Sequence, residues 1–198
     1  PKGIPIRNKS VINLVNAFRK WLNPKCDGES AVVHKILLMA SFSFDMSVFQ
    51  MFYALVAGQT LDILPDGIKE DPAGFLDYIT EHGITVTDTT PLYLDALSEI
   101  VSIGNVKYKL PEIVITSGEA LPPATAKRWF ELEAAKNSLL LNCYGPTEAC
   151  VYASVFPITA EVSKSLDKMP IGTKISGVGI YILDENKRPL PVGETGEI

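Results

Sequence analysis

Two adjacent residues, Thr147 and Glu148, set a hydroxyl beside a carboxylate at the end of an unusual run. Residues 139–150 read Leu-Leu-Leu-Asn-Cys-Tyr-Gly-Pro-Thr-Glu-Ala-Cys. The three leucines read as a buried strand that stops at a Tyr-Gly-Pro turn. Gly145 allows a backbone conformation that other residues resist, and Pro146 fixes the next one. Strand, sharp turn and polar pair is how an open α/β sheet presents chemistry at the carboxyl edge of its strands. A hydroxyl and a carboxylate together suit a phosphate carrying Mg²⁺, a hard cation that takes oxygen ligands. By residue types alone, an ordinary turn with two exposed polar residues stays open as the alternative.

The elements that would position this pair follow from hydrophobic spacing. Ser10 is expected to cap a helix with Val11, Leu14, Val15, Phe18 and Leu22 on one face, ended by Asn23-Pro24. Residues 32–40 form an apolar run, read as a strand. Asp45 then opens a helix with Phe49, Phe52, Tyr53 and Val56 at i, i+3, i+4 and i+7. Residues 60–64 read as a strand. Asp71-Pro72 starts a helix that packs Phe75, Tyr78 and Ile79 inward and stops at His82-Gly83. Residues 84–90, 112–116 and 151–156 are further strands, with helices opened by Pro91 and Pro122-Pro123. Leu94, Leu97, Ala126, Trp129 and Phe130 are the inward positions of those two helices. A strand followed by a helix, four times over, predicts a doubly wound, mostly parallel sheet with helices on both faces. From Pro170 onward the chain is rich in Gly and Pro with short β-like runs such as 179–183, the start of a β-rich, barrel-like segment.

Composition removes other classes. With 198 residues and 46% hydrophobic content the chain can bury a sizeable core. A net charge of −5 does not suit a phosphate-backbone surface, so nucleic acid is not an expected partner. Cys26, Cys143 and Cys150 lack Cys-x-x-Cys spacing, and His34 and His82 lack zinc-like spacing. With no run of about 18 apolar residues and no signal-peptide pattern, the chain reads as soluble, cytoplasmic and not bound to membrane. It opens at Pro1-Lys2-Gly3 and stops inside a β-like pattern, and so reads as part of something longer.

Four motifs in order carry a resemblance. Asn142-Cys-Tyr-Gly-Pro-Thr-Glu148 resembles the Asn-x-Tyr-Gly-Pro-Thr-Glu signature of nonribosomal peptide synthetase adenylation domains, within the superfamily of acyl-CoA synthetases and luciferases. Ser41-Phe-Ser-Phe-Asp-Met-Ser47 resembles their Ser-Phe-Ser-Phe-Asp-x-Ser. Ser117-Gly-Glu-Ala-Leu121 is similar to their Gly-Glu-x-Leu turn, and Pro1-Lys2-Gly3 to the end of their Gly-rich phosphate loop. Weaker matches lie at Pro170-Ile-Gly-Thr-Lys174, Tyr181-Ile-Leu-Asp184 and Pro191-Val-Gly-Glu-Thr-Gly-Glu197. The Asn usual near Ser176-Gly177 is missing.

That resemblance implies an ATP-dependent ligase that activates an amino acid as its acyl adenylate. The acyl group would pass to the phosphopantetheine arm of a peptidyl carrier protein, in natural-product or antibiotic biosynthesis. It implies ATP and Mg²⁺, with Glu148 holding the metal and Thr147 bonding a phosphate oxygen as the catalytic pair. Tyr144 would lie against the adenine and Asn142 would meet its exocyclic amine. Gly118, Glu119, Ala120 and Gly145 would complete the nucleotide slot, and Lys2 would sit near the phosphates. Asp45 would pair with the amino acid's α-ammonium. Met46, Phe49, Asp88, Ile115, Ser117, Cys143, Val151 and Tyr152 would line the remaining pocket. Asp88 is costly in a small, partly apolar pocket unless a donor or cation answers it. Two answers stand: a donor on the substrate (a basic or β-amino acid), or solvent or a neighbouring hydroxyl such as Ser117.

The implied organisation is the end of the phosphate loop and its helix over residues 1–30, the substrate- and nucleotide-binding part over 31–157, and an incomplete β-rich part from 158 to 198. The C-terminal lobe with its catalytic Lys would lie beyond, so the piece alone should catalyse nothing. Two other readings remain: an acyl- or aryl-CoA ligase, against which Asp45 and Pro146 weigh, and a non-catalytic core or binding module.

Overall fold

In the computed structural model, which describes residues 3–23, 33–104 and 108–198, seven strands form one sheet in the order β2-β1-β3-β4-β5-β6-β7. The strands are β1 (Lys35–Leu38), β2 (Thr60–Ile63), β3 (Val86–Thr89), β4 (Ile113–Thr116), β5 (Leu139–Tyr144), β6 (Ser154–Ile158) and β7 (Thr173–Lys174). β1 to β5 are mutually parallel, and β6 and β7 are added antiparallel. The helices are α1 (Asn8–Leu22), α2 (Met46–Val56), α3 (Pro72–His82), α4 (Pro91–Ile103), α5 (Pro123–Glu131) and the short α6 (Ala160–Ser165).

The central strands are buried at nearly every position because both faces are covered, as parallel sheets require. Ile36, Val86, Ile113, Ile115, Leu141 and Cys143 pack against α1 and α2 through Leu14, Phe18, Phe49 and Tyr53. Their neighbours Leu37, Val114 and Leu140 face the other way, against Phe75 and Ile79 of α3, Leu94 and Leu97 of α4 and Trp129 of α5. The doubly wound α/β expectation is met. β1 connects outward to β2 on one side while β3, β4 and β5 run off on the other, so the winding reverses between β1 and β3. Outside the carboxyl ends of those strands an open sheet leaves a crevice for a ligand.

Local signals hold at most helix ends. Asp71 caps α3 through the Ala73 amide at 3.1 Å, and Gly83 closes it in the left-handed region. Thr90 caps α4 through the Tyr93 amide, with Pro91 at the first helical position. His82 is a surface residue, stacked on Tyr78 and 3.3 Å from Asp62. Tyr78 is only half-buried, its hydroxyl donating to Asp62 at 2.6 Å.

Several expectations are corrected. Ser10 does not cap α1; the helix starts at Asn8 after Arg7, and the Ser10 amide donates to the Arg7 carbonyl. Phe52 and Val56 are exposed, because α2 covers the sheet with Phe49, Tyr53 and Ala54 only. The strand expected at 151–156 begins at Ser154, since Cys150 and Val151 take φ of 65° and 71° and break the extended chain. The run 179–183 contributes two isolated bridges, both at Leu183, to Pro189 and Glu197, rather than a strand. Lys2 and Cys26 lie outside the described residues.

Candidate functional site

The carboxyl ends of β1, β3, β4 and β5 each deliver part of one site. After β1, the amides of Met39 and Ala40 both donate to Gln50 Oε1 at 3.2 Å, which ties the connecting loop to α2. This loop delivers Asp45, half-buried at the α2 N-terminus. Asp45 occupies the N-cap place but its side chain accepts no cap hydrogen bond. The carboxylate is therefore not consumed by helix capping, the ordinary duty of Asp there.

β3 delivers Asp88, only 2% exposed. The Tyr152 hydroxyl donates to Asp88 Oδ2, and Asp88 Oδ1 is buried with no hydrogen-bond partner among the described residues. Burial, with the Asp45 charge adding to it, pushes the Asp88 carboxyl up to about 7 against the lowering effect of the Tyr152 bond. Burial also pushes the Tyr152 hydroxyl and Cys143 thiol well up, and the Asp88 charge adds to both. Cys150 is raised by burial and then by Asp45. Asp45, Asp88, Cys143, Cys150 and Tyr152 thus lie within one electrostatic neighbourhood. Ser117 does not bond Asp88; its Oγ stands 3.5 Å from the Tyr152 hydroxyl and 3.9 Å from Met46 Sδ. Of the two answers open for Asp88, a neighbouring hydroxyl satisfies one oxygen, and it is Tyr152 rather than Ser117.

How Tyr152 reaches Asp88 is a matter of backbone. Residues Thr147–Ala149 form a 3-10 turn, after which Cys150 is left-handed. The Tyr152 amide then donates to the Cys150 carbonyl at 2.9 Å around Val151, a γ-turn of positive φ. Such a turn is rare and strained, and for a β-branched residue costs about 1–3 kcal/mol. It turns Tyr152 inward, where it packs on Phe49 and Phe18 at ring-centre distances of 5.3 and 5.4 Å. Gly145 is needed for close approach rather than for φ: a Cβ there would lie 2.4 Å from the Val151 carbonyl oxygen and 2.7 Å from the Ala153 nitrogen.

A crevice of about 270 Å³ opens at the reversal between β1 and β3, lined by Asp88, Met46 and Gly118 among the expected residues. Phe49, Ile115, Cys143, Val151 and Tyr152 are at most 4% exposed and do not line it; they belong to the buried cluster between the sheet and α1 and α2. Sequence reading missed Met39, Phe44, Thr89, Thr90 and Tyr93 of the lining; Thr90 and Tyr93 follow Asp88 within six positions, which was the one available signal.

The expected nucleotide residues lie along the same edge. Gly118 takes φ of 86°, and Gly118, Glu119 and Ala120 are exposed after β4. Tyr144 is 38% exposed at the end of β5, and Thr147 and Glu148 are exposed on the following turn. Asn142 is buried and its amide donates to the Pro170 carbonyl at 2.8 Å, which leaves its Oδ1 as the acceptor. Among the described residues no three His, Cys, Asp or Glu side chains cluster closely enough to hold a metal. A single carboxylate beside a hydroxyl fits Mg²⁺ brought on substrate phosphates, which needs only one or two protein carboxylates. No helix among the described residues is long and apolar enough to cross a membrane.

Comparison with known proteins gives a family and a shared fold. The profile of the AMP-binding enzymes matches residues 1–198. The chain is 34% identical over its full length to bacitracin synthase 1 of Bacillus licheniformis, covering 4% of that protein. It is 34% identical over its full length to surfactin synthase subunit 1 of Bacillus subtilis, covering 5% of it, and to gramicidin S synthase 1 of Brevibacillus brevis, covering 16%. The chain thus spans a small part of these relatives. The crystal structure of the nonribosomal peptide synthetase FmoA3 shares the fold, with a TM-score of 0.82 at 23% identity over 96% of this chain and 19% of that one. So does the structure of IdnL1, at 0.76 and 22% over 94% and 37%.

Proposed function

The chain belongs to the family of AMP-binding enzymes, and on that premise we propose that it is the substrate- and nucleotide-binding core of an amino-acid adenylation domain. The observation that carries this reading is the gathering of an uncapped Asp45, a buried Asp88 and the residues 144–148 turn along one sheet edge, with the crevice at the reversal between β1 and β3. In the proposed reaction the carboxylate oxygen of the amino acid attacks the α-phosphorus of ATP. A P–O bond forms, the bond to pyrophosphate breaks, and an aminoacyl adenylate remains. The thiol of a peptidyl carrier protein's phosphopantetheine then attacks the acyl carbon, a thioester forms, the acyl–phosphate bond breaks and AMP leaves, in the manner of a nonribosomal synthetase working in the cytoplasm.

The residues divide this work. Asp45 pairs with the α-ammonium, which orients the carboxylate toward the nucleotide and supplies proximity. Tyr144 offers its ring to the adenine, and Asn142 Oδ1, its amide nitrogen engaged by Pro170, accepts from the exocyclic amine. Gly118, Glu119 and Ala120 form the facing side of the slot, and Gly145 lets the 144–148 turn close on the backbone of residues 151–153. Thr147 donates to a phosphate oxygen and Glu148 holds Mg²⁺, which when bound neutralises charge on the phosphates. Lys2, by its place in the phosphate-loop motif, belongs near the same phosphates.

The test is amino-acid-dependent ATP–pyrophosphate exchange by the protein that contains this chain. Exchange that depends on an amino acid and is abolished in Asp45→Ala supports the reading. Exchange driven only by acids without an amine replaces it with the acyl- or aryl-CoA ligase reading.

A further inference from the structure

Asp88 is a half-answered group. Its Oδ2 accepts the Tyr152 hydroxyl, and its Oδ1 is buried and has no partner among the described residues. A buried carboxylate oxygen left without a donor is destabilising, and native structures seldom carry such an atom without a use for it. Asp88 lies in the wall of the crevice, whose other surfaces are mainly apolar, with Met39, Met46, Phe44 and Tyr93 around it. Among the described residues no cation makes an ion pair with Asp88. Lys69 also lines the crevice but is exposed and forms none of those pairs.

Resting on the adenylation reading above, we propose that the amino acid taken by this pocket ends in a single primary ammonium that donates to Asp88 Oδ1. The geometry selects within the cationic class. A guanidinium pairs best with a carboxylate through two parallel bonds to its two oxygens. Oδ2 is already taken by Tyr152, and the Tyr152 hydroxyl has only one proton, directed at Asp88. One oxygen remains, which suits a compact ammonium with freely rotating donors. Charge agrees with this. Asp45 and Asp88 are close enough for the Asp45 charge to be felt at Asp88, and an amino acid with two ammonium groups presents one cation to each.

The side chain must cross the apolar part of the crevice with methylenes and place only its tip against Asp88. Ornithine, lysine and 2,4-diaminobutyrate have that form. Norleucine matches the stem without the charge, glutamine keeps N–H donors without the charge, and arginine keeps the charge with a fork. A site built around a buried polar group rejects analogues that lack the matching group, because the buried partner is then left bare.

The experiment is ATP–pyrophosphate exchange by the whole protein that contains this chain, with these six amino acids and with amine-free acids of similar size. The expected result is a kcat/KM for one of the three ammonium-bearing amino acids at least about a hundredfold above norleucine, and above glutamine and arginine. In Asp88→Asn that preference should shrink while the norleucine or glutamine rate rises. The comparison of substrates in the unmodified protein stands by itself if the variant fails to fold. Norleucine, glutamine or arginine as the best substrate overturns the ammonium proposal and leaves amino-acid adenylation intact. Exchange with amine-free acids alone overturns both.

Discussion

Asp88→Asn tests the electrostatics of the site without any substrate. Burial holds the Asp88 carboxyl at about 7 in the folded protein against 3.8 for an ordinary aspartate. The folded state therefore binds this proton more tightly than the unfolded chain. Its contribution is most favourable below pH 3.8 and is lost as the pH climbs through about 7. One pKa unit corresponds to about 1.4 kcal/mol, so the whole span amounts to about 4 kcal/mol. Asparagine has no such titration. It can still accept from Tyr152, but its amide N–H groups face the same bare surroundings as Oδ1, at a cost of about 1–3 kcal/mol. The variant should therefore be less stable than the parent near pH 4 and as stable or more stable at pH 8. The stability difference between the two should change by about 4 kcal/mol over that range. Subtracting the two curves cancels most other titrating groups. Equilibrium urea unfolding at pH 4, 5, 6, 7 and 8 reads it directly, with the midpoint tracking stability at constant m. A difference that stays flat with pH would refute the claim that Asp88 is buried without an answering cation.

Asp45→Asn should move the Asp88 carboxyl back toward the ordinary carboxylate range, because the Asp45 charge helps raise it; the carboxyl ¹³C titration of Asp88 by NMR checks this. Gly145→Ala should destabilise by about 2–3 kcal/mol, since its Cβ would meet backbone atoms of residues 151–153 that cannot swing aside; the urea midpoint reports it. Asp71→Ala should cost about 1 kcal/mol by removing the α3 cap, a loss measured as a lower Tm with exchange activity per folded molecule unchanged. Glu148→Gln should lower exchange about ten- to a hundredfold while leaving α3 and the sheet intact, the sort of split that circular dichroism and a Mg²⁺ titration of activity together resolve.

Much of the fold was legible because its signals are local or periodic. The strand and helix alternation, the Pro and Gly punctuation around α3 and α4, and the apolar or β-branched character of the central strands need only neighbours in sequence. So do the motifs that placed Asp45, Glu119 and Glu148 on connections after strands and Asn142 near the carboxyl end of β5, since an α/β chain returns each strand end to the same edge. Three features were decided by the tertiary structure. The winding reverses between β1 and β3, which put the loop at residues 39–45 beside Asp88 although more than forty positions separate them. The partner of Asp88 is Tyr152, 64 positions away, and not Ser117, because the γ-turn at Val151 rotates the tyrosine inward. A positive φ at a β-branched residue contradicts every local preference, so nothing in the sequence around Val151 announces it. Local sequence set which chemical groups reach the sheet edge; long-range packing decided which of them meet, and left one carboxylate oxygen of Asp88 buried without a hydrogen-bond partner among the described residues.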